Sequence, residues 1–182
     1  MTIALPVPST ESAAALLLRP WRLDDRPALV AAHRDPELRR WLSTPLADEA
    51  QAQHWLEQQA AGWAAATRFS FAVVTDAADR SPRGHVAVTV GTGGVAEVGY
   101  WTAAHARKQG IAARALEAVS RWALGTPGIT RLDLFHTIAN QASCRTAVRC
   151  GYPLHAVVPA APPDFPATGH QHVRRKAVVR PP

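Results

Sequence analysis

Apolar and polar positions alternate along this chain in blocks that switch between the period of a strand and that of a helix. Residues 1–15, rich in Pro, Ser and Ala, read as a flexible tail, and Leu16 to Arg22 as a short first strand. Asp24 and Asp25 stand where they can cap a helix running to about Arg34, which Asp35-Pro36 interrupts. Beyond Glu37 to Trp41 and the loop Leu42 to Pro45, the spacing predicts a second helix from about Asp48 to Ala65. Ala52, Trp55, Leu56, Gln59 and Trp63 recur along it at helical intervals. The period then falls to two. Phe69 to Thr75 and His85 to Val90 are β-rich and joined by the turn-forming stretch Asp76 to Arg83, and Gly91 to Gly94 turns the chain into a third strand, Val95 to Trp101. Three successive antiparallel strands are expected.

From Ile111 the helical period returns. Ile111, Ala115, Ala118, Val119 and Trp122 fall on one face, with Arg114, Glu117 and Arg121 on the other, until Gly125 to Pro127 stops the helix. Leu132 to Ile138 reads as a strand. Asn140 can cap a helix reaching Cys150 and ended by Gly151. Tyr152 to Val158 and His172 to Val179 read as two last strands around the proline-rich loop Pro159 to Pro166. The order β-α-α-β-β-β-α-β-α-β-β predicts a mixed α/β (α+β) fold, with helices covering a largely antiparallel sheet, in one domain over 16–182.

Bulk properties narrow the function. The chain is 47% hydrophobic and 19% charged, ordinary for a globular protein, and no apolar run approaches the roughly 18 residues of a membrane span. The start lacks the basic opening of a signal peptide. Cys144 and Cys150 share one predicted helix and suggest neither a disulfide framework nor a zinc site, which fits a reducing, cytoplasmic setting. A formal charge of +6 raises nucleic acid as a partner. The positive residues are spread out, however, and the one dense run, Arg174-Arg175-Lys176, sits in a predicted strand without a groove-reading helix or RNA-binding motif. An enzyme handling an anionic co-substrate is the reading adopted, with no nucleic-acid, membrane or metal partner expected and a homodimer left open.

The most informative stretch is Arg107-Lys108-Gln109-Gly110-Ile111-Ala112, between the strand ending at Trp101 and the helix from Ile111. A glycine lets backbone approach an anion closely, and a helix start offers unpaired N–H groups and a positive dipole end. The basic residue, the glycine three places on and the small residue after it resemble the Arg/Gln-x-x-Gly-x-Gly/Ala loop of the GNAT N-acetyltransferases. Further motifs in order resemble the RimJ/RimL-like branch, which includes ribosomal-protein N-terminal acetyltransferases. They are Leu16 to Asp25, Arg40-Trp41-Leu42, Glu97 to Trp101, Asn140-x-x-Ser143 and Gly151-Tyr152.

The resemblance implies a GNAT fold with splayed central strands and acetyl-CoA as co-substrate. Its pyrophosphate would meet backbone from Gln109 through Ile111 and Ala112 to Ala113, with Arg107, Lys108 and Arg114 as charge partners. Unpaired backbone near Trp101 and Thr102 would receive the pantetheine arm and polarise the thioester carbonyl. Asn140 would orient pantetheine amides, and Ser143 would stand near the sulfur as general acid. Departures matter too: the tyrosine many family members place seven residues after the asparagine is Ala147 here. Gly169 to His172 occupies the place of the branch's aspartate.

For the general base, Glu97 on the cofactor strand leads, with His105 and His136 as alternatives. Trp41, Ser43 and Tyr100 are the expected acceptor-binding residues, and Pro159 to His172 should flank the mouth. The apolar, neutral-to-basic composition there disfavours a polyamine or aminoglycoside. The expected activity is direct acetyl transfer in a ternary complex to a peptide or protein α-amine. The alternatives are a small-molecule amine acceptor and a non-catalytic acetyl-CoA-binding module.

Overall fold

The structure is a computed structural model that describes residues 3–42, 45–75, 81–162 and 166–177. The β-branched and aromatic runs become strands: β1 (Leu5–Val7), β2 (Leu16–Pro20), β3 (Arg68–Thr75), β4 (Gly84–Val90), β5 (Val95–Thr102), β6 (Arg131–Thr137), β7 (Leu154–Val158) and β8 (Gly169–Arg175). The helices are α1 (Arg26–His33), α2 (Pro36–Arg39), α3 (Glu49–Ala64), α4 (Ile111–Gly125) and α5 (Gln141–Arg149). One eight-stranded sheet runs in the order β1-β2-β3-β4-β5-β6-β8-β7. Every neighbouring pair is antiparallel except β5 and β6. No helix among the described residues is long and apolar enough to cross a membrane.

Strand alternation divides the core between the two faces. On one face Val86, Val88, Ala96, Val98, Leu132 and Leu134 pack against Ile111, Ala115, Leu116 and Val119 of α4. On the other, Leu29 and Val30 of α1 meet Ala52 and Leu56 of α3, with Trp21, Trp55 and Trp101 packed around them. The predicted α3 face is observed: Ala52, Leu56 and Gln59 are buried, and Trp55 and Trp63 half-buried.

Three local expectations change. The segment read as a tail contributes β1, because Leu5 to Val7 pair with Leu16 to Leu18 and bury Val7 against the core. Asp25 stands at the start of α1 but makes no side-chain cap. Its carboxylate is taken instead by the Arg19 guanidinium at 2.7 and 2.8 Å and the Arg22 N–H at 2.8 Å, a buried charge held by a bidentate partner. The next helix does have a side-chain cap: Asp35 accepts from Glu37 N–H and Leu38 N–H and starts the short α2 at Pro36. The last strand begins at Gly169, three residues before the expected start. Of the residues assigned to it by pattern, Val178 and Val179 lie outside the described residues.

Candidate active site

The site begins where β5 and β6 part. They pair only through Val95–Arg131, Ala96–Leu132 and Glu97–Asp133, and from Val98 and Leu134 onward the two strands have no register partner in each other. β5 stays fixed on its other side, pairing with β4 as far as Thr102–Gly84. Gly84 makes that close approach possible, since a Cβ there would lie 2.7 Å from the Trp101 carbonyl oxygen. The result is a wedge with free backbone edges, open toward the C-terminal end of β5.

A cavity of about 800 Å³ fills the wedge. Tyr100, Trp101 and Thr102 line it from β5, His136 and Thr137 from β6, and Asn140 and Ser143 from the start of α5. Arg107, Lys108, Gly110, Ile111, Ala112 and Ala113 line it around the start of α4. Leu38, Trp41 and Leu42 add an apolar stretch to the lining. The structure therefore gathers nearly all the residues singled out by sequence. Gln109 turns away, its side-chain amide donating to the His105 carbonyl at 3.0 Å. Ser43 lies outside the described residues.

Gly110 starts α4 in the left-handed conformation, at φ +71°, with no side-chain cap, and the first helical bond runs from Arg114 N–H to Gly110 O at 3.1 Å. The N–H groups of Ile111 to Ala113 precede any intrahelical acceptor. A Cβ on Gly110 would meet nothing within 4 Å of it. Open space beside uncommitted donors at a positive dipole end suits a phosphate. Lys108 also holds a positive φ, of 61°, a conformation that favours glycine. Arg107 reaches the cavity, but its guanidinium is engaged by the Asp35 carboxylate that caps α2. Burial raises the Asp35 carboxyl, and the Arg107 hydrogen bond and charge, with the Leu38 and Glu37 backbone N–H groups, outweigh it and hold the group below the usual range.

Asn140 caps α5 by accepting the Ser143 N–H at 3.0 Å. The Ser143 hydroxyl lies 3.0 Å from the Tyr100 hydroxyl. Burial pushes the Tyr100 phenol up, so it remains a neutral donor beside that serine. A phenol on β5 thus stands beside Ser143, while Ala147 on the helix carries no hydroxyl.

Glu97 falls elsewhere. By alternation it shares a face with Trp101, opposite Tyr100 and α5, and it is not among the residues lining the cavity. It sits at the last paired position of the wedge, four residues or about 13 Å along the strand from Trp101. The residue is exposed, yet desolvation at the sheet surface raises its carboxyl, with Arg68 opposing and Asp133 adding to the shift. His136 does line the cavity. Burial lowers its imidazole pKa, the Thr137 carbonyl opposes this, and His172 and His170 reinforce it. The described part of Pro159 to His172 does not line the cavity, because β8 lies beyond β6 and its histidines stack behind His136.

Sequence reasoning missed Arg145, Thr146 and Arg149, which present one α5 face to the cavity together with Ala142. The helical spacing of 142, 145, 146 and 149 carries that signal. Glu37 and Phe135 also line the cavity and had no motif to mark them.

A model of the acetyltransferase (GNAT) domain matches residues 15–153, so the chain belongs to the GNAT family and is an N-acetyltransferase. No curated protein matches it by sequence. Among solved structures, RimL, the ribosomal L7/L12 alpha-N-protein acetyltransferase in complex with coenzyme A, superposes with a TM-score of 0.81 at 17% identity, over 93% of this chain and 97% of that one. The Microcin C7 self-immunity acetyltransferase MccE, in complex with acetyl-CoA and AMP, gives 0.79 at 17% over 91% and 97%. The ribosomal-protein-S5-alanine acetyltransferase from Vibrio fischeri gives 0.78 at 14% over the full length of both chains.

Proposed function

We propose that this acetyltransferase moves the acetyl group of acetyl-CoA to the α-amine of a peptide or protein N-terminus, by direct transfer in a ternary complex. The observation that carries the reading is a single cavity joining the Gly110 helix start to an apolar stretch at Leu38, Trp41 and Leu42. Arg107, Lys108, Arg145 and Arg149 line that cavity against one carboxylate, Glu37, whose oxygen accepts from the Trp41 indole at 3.1 Å. Basic walls suit a phosphorylated donor and repel a polycation. Both cysteines are free, which supports a reducing, cytoplasmic setting.

Acetyl-CoA, when bound, supplies an activated acetyl group. The backbone N–H groups of Ile111 to Ala113 hold its phosphates, and the free edge of β5 near Trp101 and Thr102 holds the arm and aims a donor at the developing oxyanion. Ser143, backed by the Tyr100 hydroxyl, would give a proton to the departing thiolate, which leaves as the coenzyme A thiol. The amine must arrive neutral. An α-amine with pKa near 7.7–8.0 is partly so at pH 7, whereas a lysine near 10.4 almost never is. Glu97 assists as a base only through water, given its distance down the strand.

The likeness to RimL and to the ribosomal-protein-S5-alanine acetyltransferase supports a protein N-terminus. The equally good superposition on MccE favours a second reading, a small-molecule amine. Mass spectrometry of reacted peptides and amines decides between them. Acetyl groups on peptide α-amines, with Trp41→Ala raising peptide KM while sparing coenzyme A binding, are expected. Acetylation confined to small amines would install the second reading, and coenzyme A binding without transfer to any amine would leave a non-catalytic binding module.

A further inference from the structure

Behind the cavity wall, four metal-ligating side chains from three elements converge. His136 on β6 is the cross-strand partner of His170 on β8, and His172 pairs with Leu134, so alternation puts all three imidazoles on the sheet face that α5 covers. Cys144 on α5 faces them. One ligand atom from each of His136, Cys144, His170 and His172 lies within 4.8 Å of all the others.

The hydrogen bonding prepares these atoms for a cation. His136 Nδ1 lies 2.8 Å from the Thr137 carbonyl and His172 Nδ1 lies 2.9 Å from the Tyr152 carbonyl. A carbonyl only accepts, so each Nδ1 carries the proton and Nε2 is left as the ligating nitrogen. This is the backbone-carbonyl support that orients metal-bound histidines. His136 Nε2, His172 Nε2 and His170 Nδ1 are buried without a hydrogen-bond partner among the described residues. His172 is fully buried, at 0% exposure. Three orphaned ring nitrogens in one place are costly unless something binds them, because a buried polar atom left unpaired loses its hydration without a compensating bond.

We propose that His136, Cys144, His170 and His172 form a tetrahedral site for one divalent, thiophilic cation of the zinc class. Imidazole nitrogen and thiolate sulfur are both zinc donors, with metal–nitrogen distances of about 2.0–2.1 Å and metal–sulfur of about 2.3 Å in four-coordinate, tetrahedral sites. Those bond lengths set donor–donor distances of about 3.4–3.6 Å, so atoms up to 4.8 Å apart draw together by at most about 1.4 Å. With four protein ligands the coordination is complete, so the ion is structural: it clamps the start of α5, next to Ser143, onto β6 and β8. It also occupies the His136 Nε2, which removes that residue from proton transfer. The sulfur loses its proton to solvent as the metal binds.

Zinc chloride is the probe, and the readouts need no acetyl transfer. Dialysed protein should retain about one zinc per chain by elemental analysis, melt higher with zinc, and revert with a chelator. Cobalt substitution should give tetrahedral visible bands and a thiolate charge-transfer band. Cys144→Ala should lose the charge-transfer band and His170→Gln the retained metal, with both variants folded by circular dichroism. His172, in the core, is left intact. No retained metal and no zinc-dependent melting shift in the wild type would overturn the site, as would equal zinc retention by the His170→Gln and wild-type proteins or an unchanged cobalt spectrum in Cys144→Ala.

Discussion

Two buried histidines should make this protein acid-labile. His33 is buried with its Nδ1 accepting the Leu46 N–H at 3.0 Å, and His85 is buried with its Nδ1 accepting the Trp21 indole N–H at 3.1 Å. Protonating either nitrogen would turn an acceptor into a donor that faces a donor. Burial lowers His33 to about 4. Burial, then the Arg68 and His33 charges, lower His85 to about 3, against a hydrogen bond to the Phe71 backbone. Both folded pKa values lie below the unfolded value near 6.5, so below about pH 6.5 the unfolded chain binds more protons and stability falls. Integrating that difference from pH 7 to pH 5 gives a loss of about 2 kcal/mol for each residue, or about 4 kcal/mol together, a large share of a typical 5–15 kcal/mol. Above pH 7 these two groups contribute no further slope. Urea unfolding at pH 7 and pH 5 measures the drop. His85→Gln and His33→Gln, whatever they cost at pH 7, should each reduce it by about 2 kcal/mol. A wild type equally stable at the two pH values, or variants that keep the full drop, would refute the argument.

Two other expectations rest on single contacts. Coenzyme A at a hundredfold excess over its Kd should stabilise the wild type by about 2.7 kcal/mol, or roughly 5–10 °C in Tm. Gly110→Glu should remove that shift by placing bulk and negative charge where the Cβ now meets nothing; thermal melts with and without coenzyme A read it directly. In the core, the Tyr152 hydroxyl bonds the Ser120 hydroxyl at 2.6 Å, and Ser120 also lies 2.6 Å from the Leu116 carbonyl. Tyr152→Phe leaves Ser120 paired and should cost about 1 kcal/mol, whereas Ser120→Ala orphans a fully buried phenol and should cost about 1–3 kcal/mol by denaturant unfolding.

The turn at Gly110 was legible because its requirement is local: a left-handed glycine and an uncapped helix start leave their mark in consecutive residues. Asn140 was legible for the same reason, as a cap that also faces the cavity. Glu97 shows where pattern stops. Strand alternation tells which residues share a face, but only the register with β6 tells how far the wedge has opened at a given residue, and at Glu97 it is still closed. Arg107 was recognised by charge, while its partner Asp35 stands 72 positions away in sequence and no period links the two. The histidine cluster was invisible for a related reason. His136 and His170 become neighbours only because β8 inserts between β6 and β7, an order that spacing along the chain does not encode.

The parting of β5 from β6 has a mechanical meaning beyond ligand access. Among the described residues only three residue pairs hold β5 and β6 in strand register, where the five strands β1 to β5 meet the three strands β6, β8 and β7, and the Thr130 and Arg131 N–H groups add bonds to the Gly94 carbonyl at the closed end. The sheet is in effect two plates sharing a short seam, with α4 packed across both. Trp101 belongs to the first plate and Ser143, on α5, packs with the second, so the angle at the seam sets the distance between these two walls of the cavity. A ligand arm that hydrogen-bonds both free edges would act as a splint. Small changes in the residues flanking Val95 to Glu97 would then alter the gape of the whole cleft without touching any group that lines it.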